Sequence, residues 1–129
     1  MMTSLSASAQ RVQDALDQLG LTLEVVELPD STRTAVDAAQ AIGCTVAQIA
    51  KSLIFRGKQS DRPVLVIASG SNRVNEKAIR REWGESIGKA DADFVRTRTG
   101  FVIGGVPPVG HLENLDTFID EDLMKLNEI

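Results

Sequence analysis

The segment Gly104–His111, GGVPPVGH, gathers three glycines, two prolines and the chain's one histidine into eight consecutive positions. Glycine lets a backbone approach a ligand closely, and proline fixes φ while removing an N–H. A loop of this composition is stiff and holds its few N–H groups outward. Donors fixed in that way stabilise a developing oxyanion, an effect worth several kcal/mol of barrier. On the residues alone, a rigid turn between two strands is the ordinary alternative, because Gly and Pro are the usual residues of turns. Lys51 opens an apolar stretch, KSLIF, directly after VAQIA. It reads either as a solvated strand-end lysine or as a point charge able to hold a phosphate or an ester carbonyl. His111 could be a turn residue, a donor to substrate or a general base. No Ser–His–Asp pattern is legible, and IASGSN is not a nucleophile elbow. Cys44 reads as a small apolar packing residue. Arg96, Arg98 and Arg73 with Lys77 could form small basic patches or simply be solvated.

The elements that must position these residues are patterned as follows. Val12, Leu16 and Leu19 recur at helical spacing with Ala15 beside them, Ser8 as N-cap and Gly20 as stop. LTLEVVEL (Leu21–Leu28) reads as a strand closed by Pro29–Asp30. Thr34 caps a helix AVDAAQAI that ends at Gly43, and Thr45 caps a short helix VAQIA. KSLIF (Lys51–Phe55), the polar turn RGKQSDR and PVLVIASG (Pro63–Gly70) read as a hairpin. Asn75 caps EKAIRREW, and Asp91 or Asp93 begins another short helix through Val95. FVIGG (Phe101–Gly105) reads as a short strand, LDTFID as a further one, and EDLMKLNEI as the start of a helix. Helices and strands mix without strict βαβ alternation. The expected class is α+β, with a mixed, partly barrel-like sheet flanked by helices.

The length of 129 residues fits one domain, residues 1–129. With aromatics at 4% and no Tyr, the core must be built from Ala, Val, Leu and Ile. A chain of this size buries roughly two-thirds of its unfolded surface, enough for a core without staples. One Cys and one His allow neither an internal disulfide nor metal-ligand spacing, so no metal or cofactor is expected, which fits a reducing cytoplasm. MMTSLSASAQRVQDAL lacks a basic region followed by an apolar run, and no apolar stretch approaches the roughly 20 residues that span a bilayer; neither secretion nor membrane insertion is expected. A net charge of −4 argues against a long nucleic-acid footprint but permits contact with the last nucleotides of a strand. DNA binding is not expected, since no helix presents a basic face suited to a major groove.

Taken together and in this order, TAVDAAQAIGCTVAQIAKSLIF, PVLVIASGSNRVN and GFVIGGVPPVGH resemble the YbaK-type family of prolyl-tRNA editing domains. The resemblance runs from about Thr32 to Asp120. Its strongest marks are QIAKSL and the Gly-x-x-x-Pro loop, Gly104 to Pro108, continuing to Gly110–His111. It implies an aminoacyl-tRNA deacylase acting on a small amino acid (Ala, Cys or Ser) wrongly attached to tRNA-Pro. In that reading Lys51 places the 3′-terminal adenosine and its ester, while Gly104, Gly105 and Pro108 belong to the loop at the aminoacyl carbonyl. His111 sits where members accepting small side chains carry a pocket histidine. Thr32, Thr34, Ser69 and Asn72 are weaker candidates to border the pocket. Lys51 and the loop are expected to face each other across a cavity. The implied partners are the tRNA acceptor end and prolyl-tRNA synthetase. Relatives in the family continue beyond the point matching Ile129, so the chain is either a shortened form or a cut piece, and a missing strand could leave a sheet edge unpaired, which invites a homodimer. The alternative from another class is a non-catalytic module that binds an aminoacyl or nucleotide end, or a synthetase.

Overall fold

The structure, a computed structural model, describes residues 4–29 and 31–129. Its centre is the hairpin that the apolar runs require. Strands β1 (Ala50–Gly57) and β2 (Pro63–Ser69) pair antiparallel in unbroken register, from Ala50 opposite Ser69 to Arg56 opposite Pro63. Its turn is held by a buried acid from elsewhere in the chain: the Glu85 carboxylate accepts from the Gln59 and Ser60 N–H groups at 3.1 Å each. The Ser60 N–H above all, with the Ser60 side chain, the Gln59 N–H and Arg62, keeps the Glu85 carboxyl below the usual range against the opposing effect of burial.

Two further strands complete an open four-stranded mixed sheet of order β3-β1-β2-β4. β3 (Ile87–Lys89) runs antiparallel to the far end of β1, covering only Phe55–Gly57. β4 (Asp116–Ile119) runs parallel to β2, Val64 to Ile67 lying opposite Asp116 to Ile119. Alternation along a strand sends neighbours to opposite faces. On one face Val64 and Val66 are buried with Ile79 of α3 (Glu76–Trp83) and Ile87, with Phe55, Val74, Trp83 and Phe118 packed around them. On the other, Phe94 and Val95 of α4 (Ala92–Thr99) cluster with Ala90 against Ile54 and Val106. The flanking helices are α1 (Ala7–Gln18), α2 (Ala35–Ile42) and α5 (Glu121–Met124), with a 3-10 turn at Val46–Gln48.

Several expected caps are in place. Thr34 and Asp37 form a reciprocal capping box on α2, and Thr45 pairs with Gln48 around the 3-10 turn. Asn75 caps α3 and Asp91 caps α4 through the N–H groups three residues on. The α1 cap is Ser6, whose hydroxyl accepts from the Ala9 N–H; Ser8, the expected cap, lies inside the helix.

The structure corrects the sequence reading at two segments and adds one strand. Leu21–Leu28 forms no strand and joins no sheet. Its backbone is satisfied by a side chain instead: Gln13 on α1 accepts from the Val25 N–H and donates to the Leu23 carbonyl, both at 2.8 Å. Asp30, expected to close this segment with Pro29, lies outside the described residues. Phe101–Gly105 is a bend and turn, because Gly104 takes a φ of +81° and the Gly105 N–H folds back to the Val102 carbonyl. β3 escaped the periodicity reading because three residues are too short to show an alternation. The sheet does not close into a barrel, since β3 and β4 stand at its two edges.

Candidate functional site

Lys51 is the second residue of β1 and lies opposite Ala68. Residues directly opposite in an antiparallel pair share a face, so Lys51, Leu53 and Phe55 stand with Ala68, Val66 and Val64 on the α3 side. Ala68 is a wall of a cleft of about 560 Å³ on that side. The floor is apolar, made by Val66, Ala68, Ile79 and Phe118. Asn72 and Arg73 border it at the exit from β2, and Asp120 and Asp122 at the exit from β4. Because β2 and β4 are parallel, both exits lie at one end of the sheet, where open sheets leave room for ligands. Lys51, at the start of β1, belongs to that same end. The residue is half-buried, and its side chain makes no hydrogen bond or ion pair with any described residue. A lysine can bury its stem along apolar surface and keep its ammonium accessible, which leaves this charge available to a ligand.

Asp120 was not among the sequence-predicted site residues. Its Oδ2 accepts from the Asn72 side-chain amide at 2.9 Å and from the Ser69 N–H at 3.0 Å, and its Oδ1 accepts from the Asp122 N–H at 2.9 Å. Asn72 first, then the two backbone donors, hold its carboxyl below the usual carboxylate range although burial opposes this. The Asn72 amide donates a second time, to Asp122 at 2.8 Å. The available signal was an acid placed directly after an apolar strand, at the end where β2 also finishes. Arg73 lies on the rim, exposed and without a hydrogen bond or ion pair to any described residue.

The Gly104–Pro108 loop approaches the sheet from the other side: Val106 packs against the α4 cluster of Ala90, Phe94 and Val95, as Ile54 does, on the face opposite Lys51. The expected cavity with Lys51 and the loop facing each other is therefore not found, because alternation along β1 sends Lys51 to the α3 face while the loop packs on the α4 face. β3 leaves Ala50–Ile54 unpaired along one edge of β1. The loop's ends are tied: the Leu112 N–H donates to the Thr99 carbonyl at 3.1 Å, and the buried Thr99 hydroxyl accepts from the Phe101 N–H. Its supply of donors is small. Pro107 and Pro108 have no N–H, and the Gly105 N–H is committed to Val102 at 2.9 Å. Gly104 and Val106 therefore hold the loop's uncommitted N–H groups between positions 104 and 108.

His111 braces this loop. Its Nε2 lies 2.7 Å from the Pro107 carbonyl, so Nε2 carries the proton, and its ring meets Phe101 edge-on at 6.4 Å. Phe101 in turn lies under the Arg11 guanidinium at 4.4 Å. Of the remaining expected residues, Ser69 is buried with its hydroxyl donating to the Ala47 carbonyl at 2.7 Å, which fastens the end of β2 to the 3-10 turn. The Thr34 hydroxyl accepts from the Asp37 N–H, and the Thr32 N–H donates to the Pro29 carbonyl. The structure thus places Asn72 in the cleft, sets Lys51 opposite its wall residue Ala68 without making it a lining residue, and leaves His111, Thr34 and Ser69 holding the frame.

Residues 29–129 match the aminoacyl-tRNA editing domain family. Among solved structures, the fold superposes with a TM-score of 0.89 on a protein proposed as a trans-editing enzyme for prolyl tRNA synthetase, 50% identical, over 95% of this chain and 78% of that one. The chain is 30% identical to the Bacillus subtilis protein YwhH over 122 residues, covering 95% of this chain and 77% of that protein. It is also 30% identical to the proline–tRNA ligase of Thermosipho africanus over 95 residues, but spans only 16% of that much longer enzyme.

Proposed function

The chain belongs to the aminoacyl-tRNA editing domain family, and on that premise we propose that it works in trans as a cytoplasmic ester hydrolase. Its substrate is tRNA-Pro wrongly charged with a small amino acid, Ala, Cys or Ser, and prolyl-tRNA synthetase is the enzyme whose errors it clears. The observation that carries this reading is Lys51, a partly buried residue whose side chain has no hydrogen-bond or ion-pair partner among the described residues, standing across the hairpin from Ala68, which lines a cleft with an apolar floor. A negatively charged or strongly polarised ligand group supplies what the protein withholds.

In this account a water oxygen attacks the ester carbonyl carbon and the carbonyl oxygen becomes an oxyanion. The bond to the ribose oxygen then breaks, the ribose oxygen takes a proton, and a free amino acid leaves. Lys51 holds the terminal nucleotide or the carbonyl as a point charge. The Gly104 and Val106 N–H groups are the loop's candidate donors to the oxyanion, and since the loop packs on the α4 face they can serve only where the ester reaches round the edge of β1 that β3 leaves open. The neighbouring ribose hydroxyl, through an ordered water, serves as base. Discrimination rests on size: a cleft that admits small side chains and excludes proline does what affinity alone does poorly.

The test is a deacylation panel with tRNA-Pro carrying Ala, Cys, Ser or Pro. At least one small mischarged species should lose its amino acid well above the buffer rate, with Pro-tRNA spared. Loss of none faster than in buffer, or equal loss of Pro, would refute the proposal.

A further inference from the structure

The Gly104–Pro108 loop belongs to a longer stretch, Gly100–Gly110, that contains no helix or strand. Gly104 and Gly110 take φ of +81° and +84°. A chain so rich in glycine does not choose one conformation by itself. Helix α1 touches both ends of it. At the first end the exposed Arg11 donates from its guanidinium to the Gly100 carbonyl at 2.8 Å and covers the buried Phe101 ring at 4.4 Å. At the second, Ala15 lies one turn along the same face of α1. It stands so near Gly110 that a Cβ added there would come within 3.2 Å of the Ala15 Cβ. We infer that α1 clamps this loop at both ends, and that Arg11 is a positioning residue for the Gly104 and Val106 N–H groups. The inference rests on the deacylase reading for what those groups do, but not for the clamp.

The partners of Arg11 support this. Among the described residues no carboxylate holds it, and its carbonyl and its ring both belong to the loop stretch. A planar guanidinium can donate along its edge while its face lies on a ring, which an ammonium cannot do. Gly100 is the C-cap of α4, so the bond ties α1 to the point where the chain leaves that helix. From Phe101 the path runs inward. Its ring meets His111 edge-on, and His111 Nε2 donates to the Pro107 carbonyl at 2.7 Å. A displaced Phe101 would therefore move the group that braces the loop from within. Gly104 and Val106 lie between the two clamped ends, and a small misplacement of such donors costs far more in rate than in binding. The helix itself precedes residues 29–129, the part that matches the family. The clamp is thus added to the matched domain from outside it.

The test compares the full natural chain with Arg11→Ala, Arg11→Lys, Ala15→Leu and Gln13→Ala. The last loosens α1 at its tie to Leu23 and Val25 and leaves the clamp alone. Hydrogen exchange is read by NMR at the Gly105 and Leu112 amides, which donate to the Val102 and Thr99 carbonyls. Arg11→Ala should speed exchange at both. Ala15→Leu, which wedges α1 away from Gly110, should do the same, and Gln13→Ala should do so at neither. With Ala-tRNA-Pro as substrate, Arg11→Ala should lower kcat about tenfold and leave KM unchanged, the mark of an interaction felt only in the transition state. Arg11→Lys should recover part of that loss. An Arg11 that serves stability alone would lower the urea midpoint and leave kcat untouched, as Gln13→Ala does, and that result overturns the inference. Unchanged exchange at Gly105 and Leu112 in Arg11→Ala overturns it too. The deacylase reading fails separately: a natural chain that releases no amino acid, yet whose loop amides answer to Arg11→Ala, keeps the clamp and loses the reaction. An active chain whose loop amides ignore the substitution keeps the reaction and loses the clamp.

Discussion

Glu85 is buried against the hairpin turn with Ser60, Gln59 and Arg62 as partners, whereas Lys51 is half-buried with none. The contrast separates a charge that serves the fold from one available to a ligand. Because the Glu85 carboxyl is held below its ordinary value of 4.5, the native state favours the ionised form. Its contribution is fully present above that ordinary value and is lost as pH falls through the lower folded value. Asp120 adds a loss in the same direction. The urea midpoint should therefore fall between about pH 5 and pH 3, and Glu85→Gln should be less stable at neutral pH with a flatter profile over that range. Equal pH slopes for the two proteins would remove Glu85 from the acid sensitivity. Lys51 was singled out by the resemblance of QIAKSL to the family's lysine segment, since on its residue type alone a strand-end lysine reads as solvated. Asp120 was not, because its partners Ser69 and Asn72 lie 51 and 48 positions away and only the parallel pairing of β4 with β2 joins them.

At the scale of elements, capping and apolar alternation carried most of the reading. Thr34, Asn75 and Asp91 each start a helix where the local pattern requires one, and the β1–β2 hairpin follows from two apolar runs around a polar turn. Leu21–Leu28 shows where that logic stops. Alternation makes a segment able to be a strand, but a strand needs a neighbour, and here Gln13 takes the neighbour's place. Gln13→Ala should speed hydrogen exchange at the Val25 amide and lower stability by about 1 kcal/mol, the net value of one or two exposed hydrogen bonds. An unchanged exchange rate at Val25 would show that the segment is held by its side chains. The Gly/Pro loop was visible in composition, yet which of its N–H groups remain uncommitted depends on the Gly105–Val102 turn, a contact that composition does not encode.

For the whole molecule, the sheet has two working faces with different tasks. The α4 face carries the Gly104–Pro108 loop, braced through His111, Phe101 and Arg11. The α3 face carries the cleft, lined by Arg73 and Asp120, with Lys51 on the neighbouring strand opposite Ala68. An acidic chain whose cleft has Arg73 as its one cationic lining residue suits the end of a strand rather than its length. Among the described residues no helix is long and apolar enough to cross a membrane. The central claim, that this cleft cleaves a mischarged ester with the help of Lys51, is tested most directly by single-turnover deacylation with enzyme in excess over Ala-tRNA-Pro, comparing the natural chain with Lys51→Ala. The expected result is rapid release of alanine by the natural chain, slowed tenfold or more in the variant, a loss of about 1.4 kcal/mol in transition-state stabilisation or greater. Equal rates for the two proteins, with both folded, would contradict it.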